Sequence, residues 1–161
     1  MIFGLDGFTL FHVLISLVGI ASGFVVLGGF LSNARLDGMT LVFLAATVAT
    51  SITGFGFPFT QLLPSHIVAL ISLLVLAVAI YARYFADLQG LWRPVYVITA
   101  TAALYLNVFV LMVQTFIKNP ALVAIAPTQS EPPFAATQGL VLVLFLALGW
   151  MAVRRFRAVA G

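Results

Sequence analysis

Two histidines, His12 and His66, are the residues of this chain best suited to carry chemistry. Imidazole is a ligand for haem iron, zinc and copper, and its ordinary titration near pH 6.5 also suits it to handle protons. The other strongly polar groups are few. Lys118, Asn107, Gln114, Gln129, Glu131 and Gln138 stand in or beside otherwise apolar runs. There is no cysteine, which excludes disulfides, thiolate metal sites, iron–sulfur clusters and covalent c-type haem attachment within the chain. No His/Glu zincin pattern, glycine-rich phosphate loop or nucleophile elbow occurs, and the four carboxylates are not paired. Hydrolysis and phosphoryl transfer are therefore not expected, and the chain reads as a binding or carrier protein rather than an enzyme.

The elements that must position these side chains follow from composition. Of 161 residues, 63% are hydrophobic and 7% are charged, where a soluble domain carries about 25% charged residues. Lipid is the solvent consistent with that surface. The net charge of +3 rests on only seven basic residues, with no basic stripe interleaved with aromatics, so nucleic acid is not an expected partner. Five stretches are long and apolar enough to span a bilayer: Phe8–Leu31, Met39–Phe57, Ser65–Ala86, Trp92–Ile117 and Ala135–Val153. The N-terminal stretch has Asp6 where a signal peptide has basic residues, and its apolar run is longer than a signal core, so it reads as an uncleaved first span.

Backbone groups in lipid must be bonded internally, so the predicted fold is an all-α bundle of five transmembrane helices. An odd number of spans places the first and third loops and the C-terminal "RRFR" on one side. That side carries Arg35, Arg83, Arg93, Arg154, Arg155 and Arg157, and the other only Lys118. By the positive-inside rule the arginines are cytoplasmic and the N-terminus is periplasmic. No internal repeat supports an inverted-repeat transporter.

This topology brings the polar residues to one level. His12 and His66 lie near the outer ends of two helices running in the same direction, at similar depth for a rise of about 1.5 Å per residue. Gly54 and Gly56, at the end of the second span, leave room beside them. The fourth span brings Gln114 and Lys118, the fifth begins with Gln138, and the outer loop 118–134 brings Gln129 and Glu131. Two histidines at one depth can ligate a b-type haem from opposite faces, since bundles build cofactor sites from facing helices. Lys118 is the one basic group there to meet the propionates.

Other readings stay open. A metal site would join His12 and His66 to Glu131 or Asp6. The plainest alternative is a pair of interfacial histidines bonded to carbonyls or water, and a proton-handling role is a further one. Asn107 and Gln114 share a helix face, serving either as polar glue between helices or as the wall of a pocket for a quinone or lipid head-group. Thr47, Thr50, Ser51 and Thr53 read as hydroxyls bonded back to their own helix. Gly19 and Gly23 form a small-xxx-small pair for packing within the chain or for homo-oligomerisation. The proline-rich loop cannot be one helix and reads as a cap-like or re-entrant segment over the bundle mouth.

The run "YLNVFVLMVQTFIKNPALVAIAPTQSEPPF", Tyr105 to Phe134, resembles a recurring signature of small multi-pass bacterial membrane proteins to which no activity is assigned. The run itself covers the second half of the fourth span and the outer loop, and the resemblance extends over the last two spans. The resemblance implies a bacterial inner membrane and transfers no functional residues. The expectation is a small membrane protein with a periplasm-facing polar site, holding haem b and exchanging electrons with a quinone. An accessory or assembly subunit of a larger membrane complex is the alternative, and a small transporter or metal-binding protein a third.

Overall fold

The computed structural model describes residues 6–57 and 64–157. Among these residues all regular structure is helical: α1 (Gly7–Leu31), α2 (Asp37–Gly54), α3 (Pro64–Ile80), α4 (Trp92–Lys118), α5 (Pro120–Ile125) and α6 (Pro132–Arg155). Alpha-helix α3 runs on into a π-helical turn, Tyr81–Phe85. Five helices are long and apolar enough to cross a membrane, α3 counting with its π turn as His66–Phe85. The expected spans are thus present, each within a few residues of its predicted ends. The tip of the turn between α2 and α3, residues 58–63, lies outside the described residues.

The helix ends have local causes. Asp6 caps α1, its Oδ1 accepting from the Thr9 N–H at 2.8 Å. At the other end Asn33 takes a left-handed backbone (φ 57°). There Asn33 N donates to Phe30 O and Ala34 N to Gly29 O, the Schellman arrangement that satisfies the last carbonyls of a helix. Helices α5 and α6 begin at prolines, which are tolerated in the first turn because its N–H groups have no intrahelical partner. The outer loop thus folds as a short helix capped by Asn119, followed by a turn.

Helix α1 packs on α2, α2 on α3, α3 on α4 and α4 back on α1, while α6 lies outside this square against α4 and α1. Helices α1 and α3 are therefore diagonal. The two ends differ in charge. Arg35 and Arg83 meet at Asp37. Arg93 donates to the carbonyls of Val153 and Phe156, and Arg157 N donates to Asn33 Oδ1 at 2.8 Å. All six arginines thus gather where α1 and α6 end, at what is called the arginine end below.

Packing also differs between the halves. Towards the arginine end the square is filled by Val26, Leu27, Phe30, Phe43, Leu44, Leu76, Tyr96, Val97 and Leu104, all buried. Gly19 and Gly23 belong to this interior. A Cβ on Gly23 would stand 2.6 Å from Leu104 Cδ1 and 2.9 Å from Phe43 Cε2, and one on Gly19 would stand 3.2 Å from Thr47 Oγ1. The small-residue face is consumed within the chain, against α2 and α4. A homo-oligomer through Gly19 and Gly23, as the sequence allows, has no free surface there.

Candidate functional site

The opposite half of the square is hollow. A cavity of about 640 Å³ lies between α1, α2, α3 and α4 at the end away from the arginines, within the usual range for small-molecule sites. Its wall is mostly aliphatic, from Val13, Leu17 and Ile20 on α1, Val68 on α3, and Leu106, Val110 and Leu111 on α4. Into it the four helices bring His12, Thr50, Ser51, Gly54, His66, Ser72, Asn107, Gln114 and, at the mouth, Lys118.

Several of these polar groups have a defined setting. The Thr53 hydroxyl gives its only proton to the carbonyl of Ala49, 2.7 Å away, as helical threonines do. The 2.8 Å contact between Thr53 Oγ1 and His12 Nδ1 is therefore an N–H donated by the imidazole. In the neutral imidazole that places the proton on Nδ1 and leaves the Nε2 lone pair. The Phe57 ring stands edge-on to the His12 ring at 5.0 Å. His66, 4% exposed, is stacked on Phe55 with ring centroids 5.8 Å apart. The two imidazoles line one cavity from diagonal helices, each against a phenylalanine from the end of α2.

Below them a polar floor links the helices. Ser51 Oγ and Ser72 Oγ lie 3.2 Å apart in a hydrogen bond that joins α2 to α3, and Asn107 Nδ2 donates to Thr47 Oγ1 at 3.2 Å, joining α4 to α2. The hydroxyls read from sequence as self-bonded are so bonded at Ser51 and Thr53, but these two also reach across to other helices. Thr50 Oγ1 is buried in the wall with no hydrogen-bond partner among the described residues.

Of the residues predicted for the site, the cavity collects His12, His66, Gly54, Lys118, Asn107 and Gln114. Gly54 leaves space: a Cβ there would meet nothing nearer than His12 Cε1 at 3.9 Å. Gly56 instead lies against Phe8, whose Cζ would be 2.6 Å from an added Cβ. Gln129 turns back to the carbonyls of Ala126 and Pro127. Glu131 accepts from the N–H and hydroxyl of Thr128 and the N–H of Ser130. Desolvation raises the Glu131 carboxyl, but these bonds outweigh it and hold the carboxyl below its usual range. Gln138 donates to Phe109 O at 3.2 Å, tying α6 to α4. None of these four lines the cavity, and neither does any residue of 119–134, so the loop does not cap the mouth.

The same geometry weakens the three-ligand metal site. Glu131 is held in its loop and Asp6 on the Thr9 N–H and hydroxyl. No group of three His, Asp or Glu side chains that could hold a metal ion occurs among the described residues.

One charged residue escaped the sequence reading. Arg83, expected at the membrane edge, is turned inward by the π-helical turn and is 3% exposed. It pairs with Asp37 and lies over the Tyr96 ring at 5.5 Å. The extra residue in a π turn shifts the phase of the helix, and hydropathy carries no sign of such a shift.

Fold and site together define a multi-pass helical membrane protein with an interior cavity open at the end away from its arginines. Comparison with protein-family models, curated proteins and solved structures finds no match.

Proposed function

We propose that this protein is a small electron carrier of the bacterial inner membrane that holds a b-type haem in the α1–α4 cavity, with His12 and His66 as axial ligands. One observation carries the reading: two imidazoles line a single cavity from diagonally opposed helices, and the hydrogen bond to Thr53 leaves His12 Nε2 with its lone pair. Ligating histidines characteristically donate the other ring N–H to such a partner, which sets the tautomer and orients the ring. Gly54 keeps the space beside His12 open, and Lys118 supplies a cation at the mouth for propionates. Bound there, the group would supply one-electron redox chemistry, with a membrane quinone as the partner class. The arginine end faces the cytoplasm on the positive-inside rule, so the cavity opens to the periplasm.

An alternative role as an accessory subunit of a larger complex draws on α6. Only 11% of its apolar window is buried within the chain, the least of the five spans, which leaves a face for another subunit.

Absorption spectroscopy decides the haem reading. Protein purified after expression with haem supplied should show a Soret band that shifts on dithionite reduction. His12→Ala and His66→Ala should each lose the low-spin spectrum. A chain folded by circular dichroism but without a Soret band, or a band unchanged in both variants, overturns the reading. Subunits that co-purify in mild detergent with haem-free protein would favour the alternative.

A further inference from the structure

A second cavity lies on the outer surface of the bundle. It is a groove of about 380 Å³ between α4 and α6, with Ala102 and Gly149 among its lining residues, and it runs from Leu142 to Val153. These two positions on α6 are separated by roughly 16 Å at about 1.5 Å per residue. One leaflet of a hydrocarbon core about 30 Å thick is half that thickness, about 15 Å. The groove therefore matches the length of one acyl chain in the leaflet on the arginine side.

Its arginine end carries positive charge. Trp150 lines the groove there, and the Arg154 guanidinium lies over its ring at 4.2 Å. Arg93, Arg154, Arg155 and Arg157 have no carboxylate within ion-pair distance among the described residues: Asp37 pairs with Arg35 and Arg83, and Asp87, in the loop before α4, pairs with none of these four. A symmetric second copy is a poor occupant. An isologous contact through this face would set the arginines of both copies against each other across the axis.

We propose that the α4–α6 groove is a binding site for an anionic phospholipid, with an acyl chain along Gly149 and Ala102 and the phosphate at Arg154. The site lies at the opposite end of the bundle from the histidines and does not rest on the haem reading.

Native mass spectrometry of the full chain in mild detergent tests it, with phosphatidylglycerol, phosphatidylcholine and inorganic phosphate as probes. Phosphatidylglycerol should be retained at least tenfold over phosphatidylcholine, and inorganic phosphate should not be retained. Arg154→Gln should lower phosphatidylglycerol retention about fivefold, the usual weight of one arginine at an anionic surface. Gly149→Leu should abolish it by filling the groove. Leu146→Trp, at a rim position 65% exposed and so harmless to the fold, should do the same from outside. Equal retention of both lipids overturns the proposal. So does phosphatidylglycerol retention that survives Arg154→Gln and Leu146→Trp, or a dimer that buries this face.

Discussion

The Arg83–Asp37 pair should respond asymmetrically to loss of its two members. The Arg83 side chain is 2% exposed, whereas that of Asp37 is 69% exposed and also accepts from Arg35 Nε at 3.0 Å. An exposed pair contributes about 0–1 kcal/mol, and breaking a buried pair costs about 3–5 kcal/mol because a buried charge is left behind. Asp37→Asn leaves the buried guanidinium with the Tyr96 face but without its carboxylate, so its cost falls between these limits, at about 2 kcal/mol. Arg83→Met leaves Asp37 in solvent with Arg35 and retains apolar volume. It also removes Arg83 Nε, which has no hydrogen-bond partner among the described residues. That variant should cost less than about 1 kcal/mol. At about 2–4 °C per kcal/mol for a chain of this size, Asp37→Asn should lower the melting temperature by about 4–8 °C, with Arg83→Met close to wild type. Thermal unfolding in one detergent, followed by circular dichroism, checks this. An Arg83→Met variant less stable than Asp37→Asn would refute the argument that burial of the guanidinium sets the cost.

Thr53→Val keeps the shape of the α2 terminus but removes the acceptor for His12 Nδ1, and should weaken haem binding about 10–100-fold in a titration followed at the Soret band, with the helix content unchanged. Gly23→Val would drive a side chain into Leu104 and Phe43 and should destabilise by about 1–3 kcal/mol in chemical unfolding; an unchanged midpoint would show that α1 and α4 are further apart. Asn107→Leu breaks the bond to Thr47 and should cost about 0.6–2 kcal/mol in the same measurement. The Asp6 carboxyl is held below its usual range, first by the Thr9 N–H and then by the Thr9 hydroxyl. Its contribution to the first turn of α1 is therefore present above the ordinary carboxylate range and lost as pH falls through the lowered value. Hydrogen exchange of that turn should speed up in acid for wild type and lose this pH dependence in Asp6→Asn.

The spans were legible because hydropathy over some twenty residues reports directly on the solvent of a helix. The grouping of the arginines at one end followed from the parity of the spans. Part of the site was legible for the same reason: parallel helices and a common depth brought His12, His66, Gly54, Asn107, Gln114 and Lys118 to one cavity. What failed depended on local geometry that periodicity does not encode. Gln129 and Glu131 were placed by level alone, but a turn only a few residues long satisfies them at home. Gly19 and Gly23 mark close approach without saying to which helix. Arg83 faces inward because one π turn changes the helical phase, and Thr53 matters because His12 stands one hydrogen bond away on the neighbouring helix.

The contrast between the two halves of the bundle bears on function more directly than any one residue. A sealed dry void costs about 24 cal/mol per Å³; the cavity of about 640 Å³ is open at its outer end, so solvent or lipid that enters it removes most of that cost. The chain shows elsewhere that it can close such space. At the arginine end Gly23 admits Phe43 and Leu104 to contact, and the square is filled. At the histidine end residues of similar size line a hollow, and Gly54 widens it where a larger side chain would have room. A cavity of this size beside a well-packed foundation offers room for an occupant. Its lining asks for a body that is mostly apolar, with polar contacts at the two imidazoles and an anion near Lys118. The haem proposed above, a mostly apolar macrocycle with carboxylate arms, would suit that lining.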